Sequence, residues 1–293
     1  MNDENLLAPG HRCCAGCCDA IAAKFVLEAI GSDCIVCSPT GCLEVSTTPY
    51  PESSWKVPWI HSLFDNAGAI AAGMETALKA MGKKGDTKVV VIAGDGATFD
   101  IGFQCISGAF ERGHDIVYVC IDNEAYMNTG VQRSAATPMF ASTTTSPSGS
   151  ASYGNPTMKK DMPAILAAHG SPYVATASIS YAPDLIRKVK KAASSGGPTY
   201  VQVHAPCCTG WGFEGSKTIE IGRLAVETAL MPLYEMEGRE ITRVKKIKNR
   251  KPVDEYLRMQ KRFAHLFSDA SGKDVIKKIQ EMADWNVKHY GLE

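Results

Sequence analysis

Residues 88–102 read Lys88-Val-Val-Val-Ile-Ala-Gly94-Asp95-Gly96-Ala-Thr-Phe-Asp-Ile-Gly102, and this stretch decides the fold. A near-continuous β-branched run ends in Gly-Asp-Gly, and a helical pattern over 102–112 follows. Unbroken apolar runs suit parallel strands covered on both faces, because strands with one wet face alternate. Similar runs occupy 34–38, 115–121 and 199–204. Helical patterns lie at about 19–30, 66–81, 161–169 and 182–193. Strand alternating with helix predicts a doubly wound, mostly parallel α/β sheet. In such sheets ligands bind past the carboxyl ends of the strands.

The turn itself carries chemistry. Gly94 and Gly96 let a phosphate approach the backbone, and the following helix N-terminus favours an anion. Asp95 supplies a hard oxygen suited to Mg²⁺. The next strand ends at Ile121-Asp-Asn123-Glu-Ala125-Tyr-Met-Asn128-Thr129-Gly130, so Asn123 arrives as a second oxygen ligand. Gly-Asp-Gly at one strand end and Asn just past the next is a far stronger signal than either alone.

Composition sets the class. The chain has 293 residues, 45% hydrophobic and 21% charged, which excludes a disordered tail and allows a sizeable core. Lys plus Arg and Asp plus Glu both number 31, so the basic excess of a nucleic-acid binder is absent. No apolar run is long enough for a membrane span, and the first residues lack a secretory pattern. We therefore expect a cytoplasmic protein that binds neither nucleic acid nor membrane.

The 11 cysteines then need a reason other than disulfides. Cys14-Ala-Gly-Cys17 is a CxxC unit, with Cys42 and Cys207 further along. Four such thiolates suit zinc or an iron–sulfur cluster, and spacing does not separate the two. Cys13, Cys18 and Cys208 are immediate neighbours able to substitute. Cys34 and Cys37 sit three apart in a predicted strand and point to opposite faces. With Cys105 and Cys120 they read as buried small hydrophobes.

Gly94-Asp95-Gly96 followed by Asn123 resembles the pyrophosphate–Mg²⁺ motif of the thiamine diphosphate enzymes. That resemblance implies Asp95, Asn123 and the Ala125 carbonyl as Mg²⁺ ligands, with Thr40, Gly41, Gly94, Gly96 and Thr129 around the cofactor. Beside such a cofactor a [4Fe–4S] cluster accepts electrons, which zinc does not. The stretches LAPGHRCCAGCCDAIA, SPTGCLEVSTTPYPESSWKVPWIHSLFDNAGAIAAGME and NTGVQRSAATP, with the tail PVDEYLRMQKRFAHL, resemble the β subunits of the 2-oxoacid:ferredoxin oxidoreductase family, in its pyruvate-acting branch. The resemblance spans most of the chain. It implies a thiamine diphosphate-binding fold over residues 1–218 with a helical C-terminal extension over 219–293. It places the cluster on Cys14, Cys17, Cys42 and Cys207, and points Asn128 at the substrate. There a neutral donor stabilises a developing oxyanion.

The same resemblance implies partners. The glutamate that activates thiamine comes from a pyrimidine-binding domain, and a second such domain does not fit in 293 residues. An α-type subunit would supply it, and a ferredoxin-like subunit would pass electrons to external ferredoxin. The implied reaction is oxidative decarboxylation of a small 2-oxoacid, with coenzyme A taking the acyl group from pyruvate. Oxalate or a branched-chain 2-oxoacid are alternative substrates, since Phe140 stands where the family pattern has glycine and would reshape the pocket. A zinc-stapled scaffold without redox chemistry explains the cysteines but not Asp95 and Asn123.

Other residues read as structural. Glu44 reads as salt-bridged, and His11 and His61 as polar contacts. Trp55, Trp59 and Trp211 read as packing residues. The Ser/Thr/Gly/Pro-rich stretch 129–160 reads as a long loop, functional or disordered. The basic run 243–251 reads as a solvated linker.

Overall fold

A computed structural model of the chain describes residues 5–85, 87–268 and 270–293. The strands are β1 (Cys34–Pro39), β2 (Trp59–Ser62), β3 (Lys88–Gly94), β4 (Val117–Asp122), β5 (Ser148–Gly149), β6 (Ser152–Tyr153), β7 (Tyr173–Ser178), β8 (Thr199–His204), β9 (Tyr234–Glu237) and β10 (Glu240–Val244). The longer helices are α1 (Cys18–Ile30), α3 (Ala67–Ala80), α4 (Phe103–Glu111), α5 (Met162–Ala168), α6 (Ala182–Ser194), α8 (Thr218–Glu227) and α10 (Gly272–Tyr290). Short ones are α2 (Cys42–Thr47), α7 (Cys208–Trp211) and α9 (Val253–Arg258).

Eight strands form one sheet in the order β10-β9-β7-β8-β4-β3-β1-β2. Six of them, from β7 to β2, run parallel, and β9 pairs antiparallel with both β7 and β10. The doubly wound, mostly parallel sheet is the one that the apolar runs predict. β4, β7 and β8 are buried along their whole length. The two faces carry separate cores. α1 and α6 cover one with Val26, Leu27, Leu185 and Val189. α3, α4 and α5 cover the other with Ala71, Phe110 and Leu166. Cys34 lies in the first core and Cys37 in the second, as alternation along a strand demands.

The chain leaves β1 for β2 on one side and returns to place β3 on the other. That reversal opens a crevice at the carboxyl ends of β1 and β3, where adjoining connections diverge. Helix signals are local and legible. Asp161 caps α5 by accepting from the Ala164 amide at 3.0 Å, with Pro163 in the first turn.

Several elements differ from the sequence reading. β2 is too short and too exposed to give a pattern, and β7 (YVATAS) is diluted by small and polar residues. The tail has its expected helices but also inserts the β9–β10 hairpin beside β7. A third core, with Trp211, Ile221, Leu257, Phe263 and Ile279, joins these helices to the sheet. The basic run is not a solvated linker. Lys246 donates to the carbonyls of Gly291 and Glu293 at 2.7 Å, Lys251 pairs with Glu227, and Arg250 pairs with Asp284. Cys105 is half-buried on α4 rather than a core residue, whereas Cys120 is buried. Among the described residues no helix is long and apolar enough to cross a membrane.

Candidate functional site

The crevice at the ends of β1, β3 and β4 widens into a cavity of about 520 Å³. Its wall includes Thr40, Gly41, Gly94, Asp95, Gly96, Asn123, Ala125, Asn128 and Thr129, so the structure brings together every residue that the sequence reading assigned to cofactor and substrate. Cβ atoms built on Gly41 and Gly94 would meet nothing within 4 Å. Gly96 is different, because a Cβ there would lie 2.4 Å from the Tyr126 ring, whose hydroxyl donates to Asp100 at 3.0 Å.

Asp95 is fully buried and accepts from the Ser134 hydroxyl. Burial and the nearby Asp122 carboxylate push its carboxyl well above the usual range. One arm of the Asn123 amide lies 2.9 Å from both Asp95 Oδ1 and the Ala125 carbonyl oxygen. With nothing between them that arm is the amino group, donating to both. With a cation between them it is the oxygen. Octahedral Mg²⁺ bonds of 2.0–2.1 Å set neighbouring ligands about 2.9 Å apart, so the three groups fit the ion in donor type and both distances from Asn123 fit it in spacing.

Cys42 and Asp19 line the cavity, and further cysteines gather beside Asp19. Cys18 lies between Cys17 and Cys207, and Cys13 also reaches Cys17. Those neighbours pull the Cys17 and Cys207 thiols below their ordinary value. Buried Asp19 faces Cys17, Cys18 and Cys207, and also Cys42, which itself lies beside Asn128. Cys14 is exposed, with the Thr209 hydroxyl 3.7 Å from its sulfur. Gly210 N donates to Cys207 Sγ at 3.3 Å. Gly16, in a left-handed conformation, packs on Gly215 so closely that neither position has room for a Cβ. That contact holds the Cys14–Cys17 turn against the segment that follows Cys207. Among the described residues no three ligating side chains close on one point for a single ion. The four thiols expected as ligands come from three segments, with an N–H aimed at one sulfur, and soft thiols of this kind suit an iron–sulfur cluster or zinc.

Other assignments resolve as packing. Thr40 Oγ1 lies 2.8 Å from His61 Nε2, and Glu44 stands 3.8 Å from the same nitrogen. Trp55 and Trp59 stack at 6.0 Å. Phe140 is absent from this cavity's wall. It lines a larger cavity of about 710 Å³ between the sheet and α10, with Met231, Met282 and Trp285. The larger space contains none of the residues expected to bind cofactor, so Phe140 does not shape this wall.

The long loop is a folded strap that delivers Ser134 and Lys159. Lys159 pairs with both Asp122 and Glu124. Arg262, from the tail, pairs with Glu124 at 2.7 Å. Sequence reasoning missed Asp19, Ser134, Glu124, Lys159 and Arg262. Glu124, one residue past Asn123, was the one with a local signal.

Comparison with known proteins follows the same lines. Residues 39–203 match the thiamine pyrophosphate enzyme, C-terminal TPP binding domain. The chain is 66% identical over 290 residues to pyruvate synthase subunit PorB of Methanosarcina barkeri, covering 99% of this chain and 98% of the relative. The chain belongs to the PorB-type β subunits of the thiamine-dependent 2-oxoacid:ferredoxin oxidoreductase family. Within that family it is also 44% identical to ketoisovalerate oxidoreductase subunit VorB of Pyrococcus abyssi, over 90% of this chain and 86% of that one. Among solved structures, the 2-oxoglutarate:ferredoxin oxidoreductase from Magnetococcus marinus superposes with TM-score 0.60 and 25% identity, covering 71% of this chain and 70% of that chain. The PorB-type assignment accounts for the sheet and the Gly-Asp-Gly crevice in one chain.

Proposed function

We propose that this chain is the β subunit of a pyruvate:ferredoxin oxidoreductase, binding Mg²⁺-thiamine diphosphate and the proximal [4Fe–4S] cluster. The carrying observation is that Asn123 lies 2.9 Å from both Asp95 and the Ala125 carbonyl, in a cavity whose wall includes Cys42. When bound, the cofactor supplies the carbon nucleophile and electron sink for decarboxylation, and the cluster a one-electron exit. Asp95, Asn123 and Ala125 hold the cation, and Gly41 and Gly94 leave room for the cofactor. Asn128 donates to the substrate oxygen that gains charge. Cys14, Cys17, Cys42 and Cys207 hold the cluster.

Residues 1–218 form the binding domain, and 219–293 are an extension packed on it. Among the described residues of the cavity wall there is no glutamate. An α-type subunit brings the pyrimidine-binding domain and its activating Glu. Exposed Leu63 and Ile101 on the rim give it an apolar landing. A ferredoxin-like subunit carries electrons on to ferredoxin, and coenzyme A takes the acyl group. The reaction runs in the cytoplasm, where thiols stay reduced. The pyruvate synthase relative favours pyruvate. The ketoisovalerate relative supports a second reading, a branched-chain 2-oxoacid.

The test is anaerobic purification of the whole complex, with iron, sulfide, zinc, magnesium and thiamine diphosphate measured. Ferredoxin reduction is then followed with pyruvate, 2-oxoisovalerate and oxalate. We expect brown protein that prefers pyruvate, loss of cofactor in Asp95→Asn, and loss of iron in Cys14→Ala but not in Cys34→Ala. Colourless protein with stoichiometric zinc refutes the reading.

A further inference from the structure

We propose that Arg262, on the C-terminal extension, is a positioning residue for the cation-binding loop. It acts through Glu124 and Trp211, holding Asn123 and the Ala125 carbonyl at Mg²⁺ spacing and tying them to the Cys207 segment. The inference rests on the Mg²⁺-thiamine diphosphate reading above.

Glu124 sits between two expected cation ligands with φ of 69°, in the left-handed region that side chains with a Cβ rarely adopt. The turn sends Asn123 and Ala125 to the cofactor cavity and Glu124 to the larger cavity on the other side. Such a conformation persists only where its surroundings hold it. Three side chains do so here. Arg262 donates to Glu124 Oε2 at 2.7 Å, Lys159 to Oε1 at 3.0 Å, and Thr137 Oγ1 to the Glu124 carbonyl at 2.7 Å. Arg262 is itself fixed. Its Nε donates to Gln260 at 2.8 Å, and its guanidinium lies 3.5 Å above the Trp211 ring.

Trp211 closes the circuit. Its Nε1 donates to the Asn123 carbonyl at 2.8 Å, and it ends the short helix α7 that begins just after Cys207. The residues that place Asn123 are therefore packed onto the helix that carries an expected cluster ligand. Arg262 touches neither the cofactor cavity nor a thiol, so its effect on the cation passes through Glu124 and Trp211.

The test uses the intact complex, stripped with chelator, with thiamine diphosphate binding measured by calorimetry at a series of Mg²⁺ concentrations. Groups that orient metal ligands from behind commonly change metal affinity about 10–100-fold. We expect Arg262→Gln to raise the half-saturating Mg²⁺ concentration by about that factor. Arg262→Lys should recover it only in part, because lysine keeps the charge but loses the planar fork and the stacking. Trp211→Phe leaves an aromatic ring beneath Arg262 but removes the bond to Asn123 along with part of the indole's packing, so it should shift Mg²⁺ dependence in the same direction. If Arg262→Gln does not fold, Trp211→Phe decides alone. Unchanged Mg²⁺ dependence in the folded variants overturns the inference, as does complete rescue by lysine. If the unmutated complex shows no Mg²⁺-dependent binding, the failure lies in the functional reading instead.

Discussion

Glu235 offers a quantitative test of how the C-terminal extension is fastened. It lies on β9, is 1% exposed, and accepts from Arg187 at 2.8 Å and from the Tyr173 hydroxyl at 2.9 Å. Burial pushes its carboxyl up, but Arg187 and Tyr173 outweigh that and pull it from 4.5 down to about 2. A depressed folded-state value gives stability that is fully present above the unfolded value near 4.5. That stability is lost as pH falls through about 2. At about 1.4 kcal/mol per pH unit, the difference between 4.5 and about 2 sets a ceiling of roughly 3 kcal/mol. Arg187 is 37% exposed, so solvent screening reduces this to about 1–2 kcal/mol. Glu235→Gln keeps the shape and removes the charge. Urea unfolding of the full chain should show the variant less stable by about 1–2 kcal/mol at pH 7. The gap should narrow steadily as pH falls below 4. Equal stability at pH 7, or a gap that does not change with pH, would refute the reasoning.

Three further outcomes follow from the geometry. Gly96→Ala drives a Cβ into the Tyr126 ring, so it should cost about 1–3 kcal/mol and abolish the thermal stabilisation given by Mg²⁺-thiamine diphosphate; a full ligand-induced shift counts against the close approach. Asp161→Ala removes the α5 cap and should cost about 0.5–2 kcal/mol in chemical denaturation, with Asp161→Asn recovering most of it. Phe110→Ala empties a fully buried site in the core beneath α4 and should cost about 3–5 kcal/mol; a loss below 1 kcal/mol would mean the site collapses freely.

The central sheet was legible because burial on both faces leaves a local mark. β1, β3, β4 and β8 are apolar runs that no other parallel arrangement explains as simply. β7 was not, since Ala175, Ala177, Thr176 and Ser178 are small or polar, and their burial comes from α6 and the tail. The β9–β10 hairpin was hidden for a different reason. Its residues are charged and mostly exposed, and its place is fixed by Glu235 reaching Arg187 and Tyr173 across the sheet edge. The cofactor wall was legible because its residues follow strand ends, where sequence order and position in the sheet coincide. Ser134, Lys159 and Arg262 lie far along the chain, so no local pattern links them to Asp95 or Glu124.

Those distant residues explain the charge balance around the cation site. Asp95, Asp122 and Glu124 bring three carboxyl groups to the ends of two adjacent strands. Lys159 and Arg262 bring two cations from the loop and the tail. His204 adds none, because burial, helped by Lys159 and Arg262 against Glu124, pushes it down to about 4. Both cations make their direct ion pairs with Asp122 and Glu124, and Lys159 reaches Asp95 only through space. Asp95 is left with a neutral hydroxyl and an amide as its near partners. A buried carboxylate with only neutral partners is costly unless a positive charge joins it. Asp19, the other buried acid on the cavity wall, faces thiols, whereas the Asp95 oxygen faces Asn123 and the Ala125 carbonyl, where a divalent cation fits.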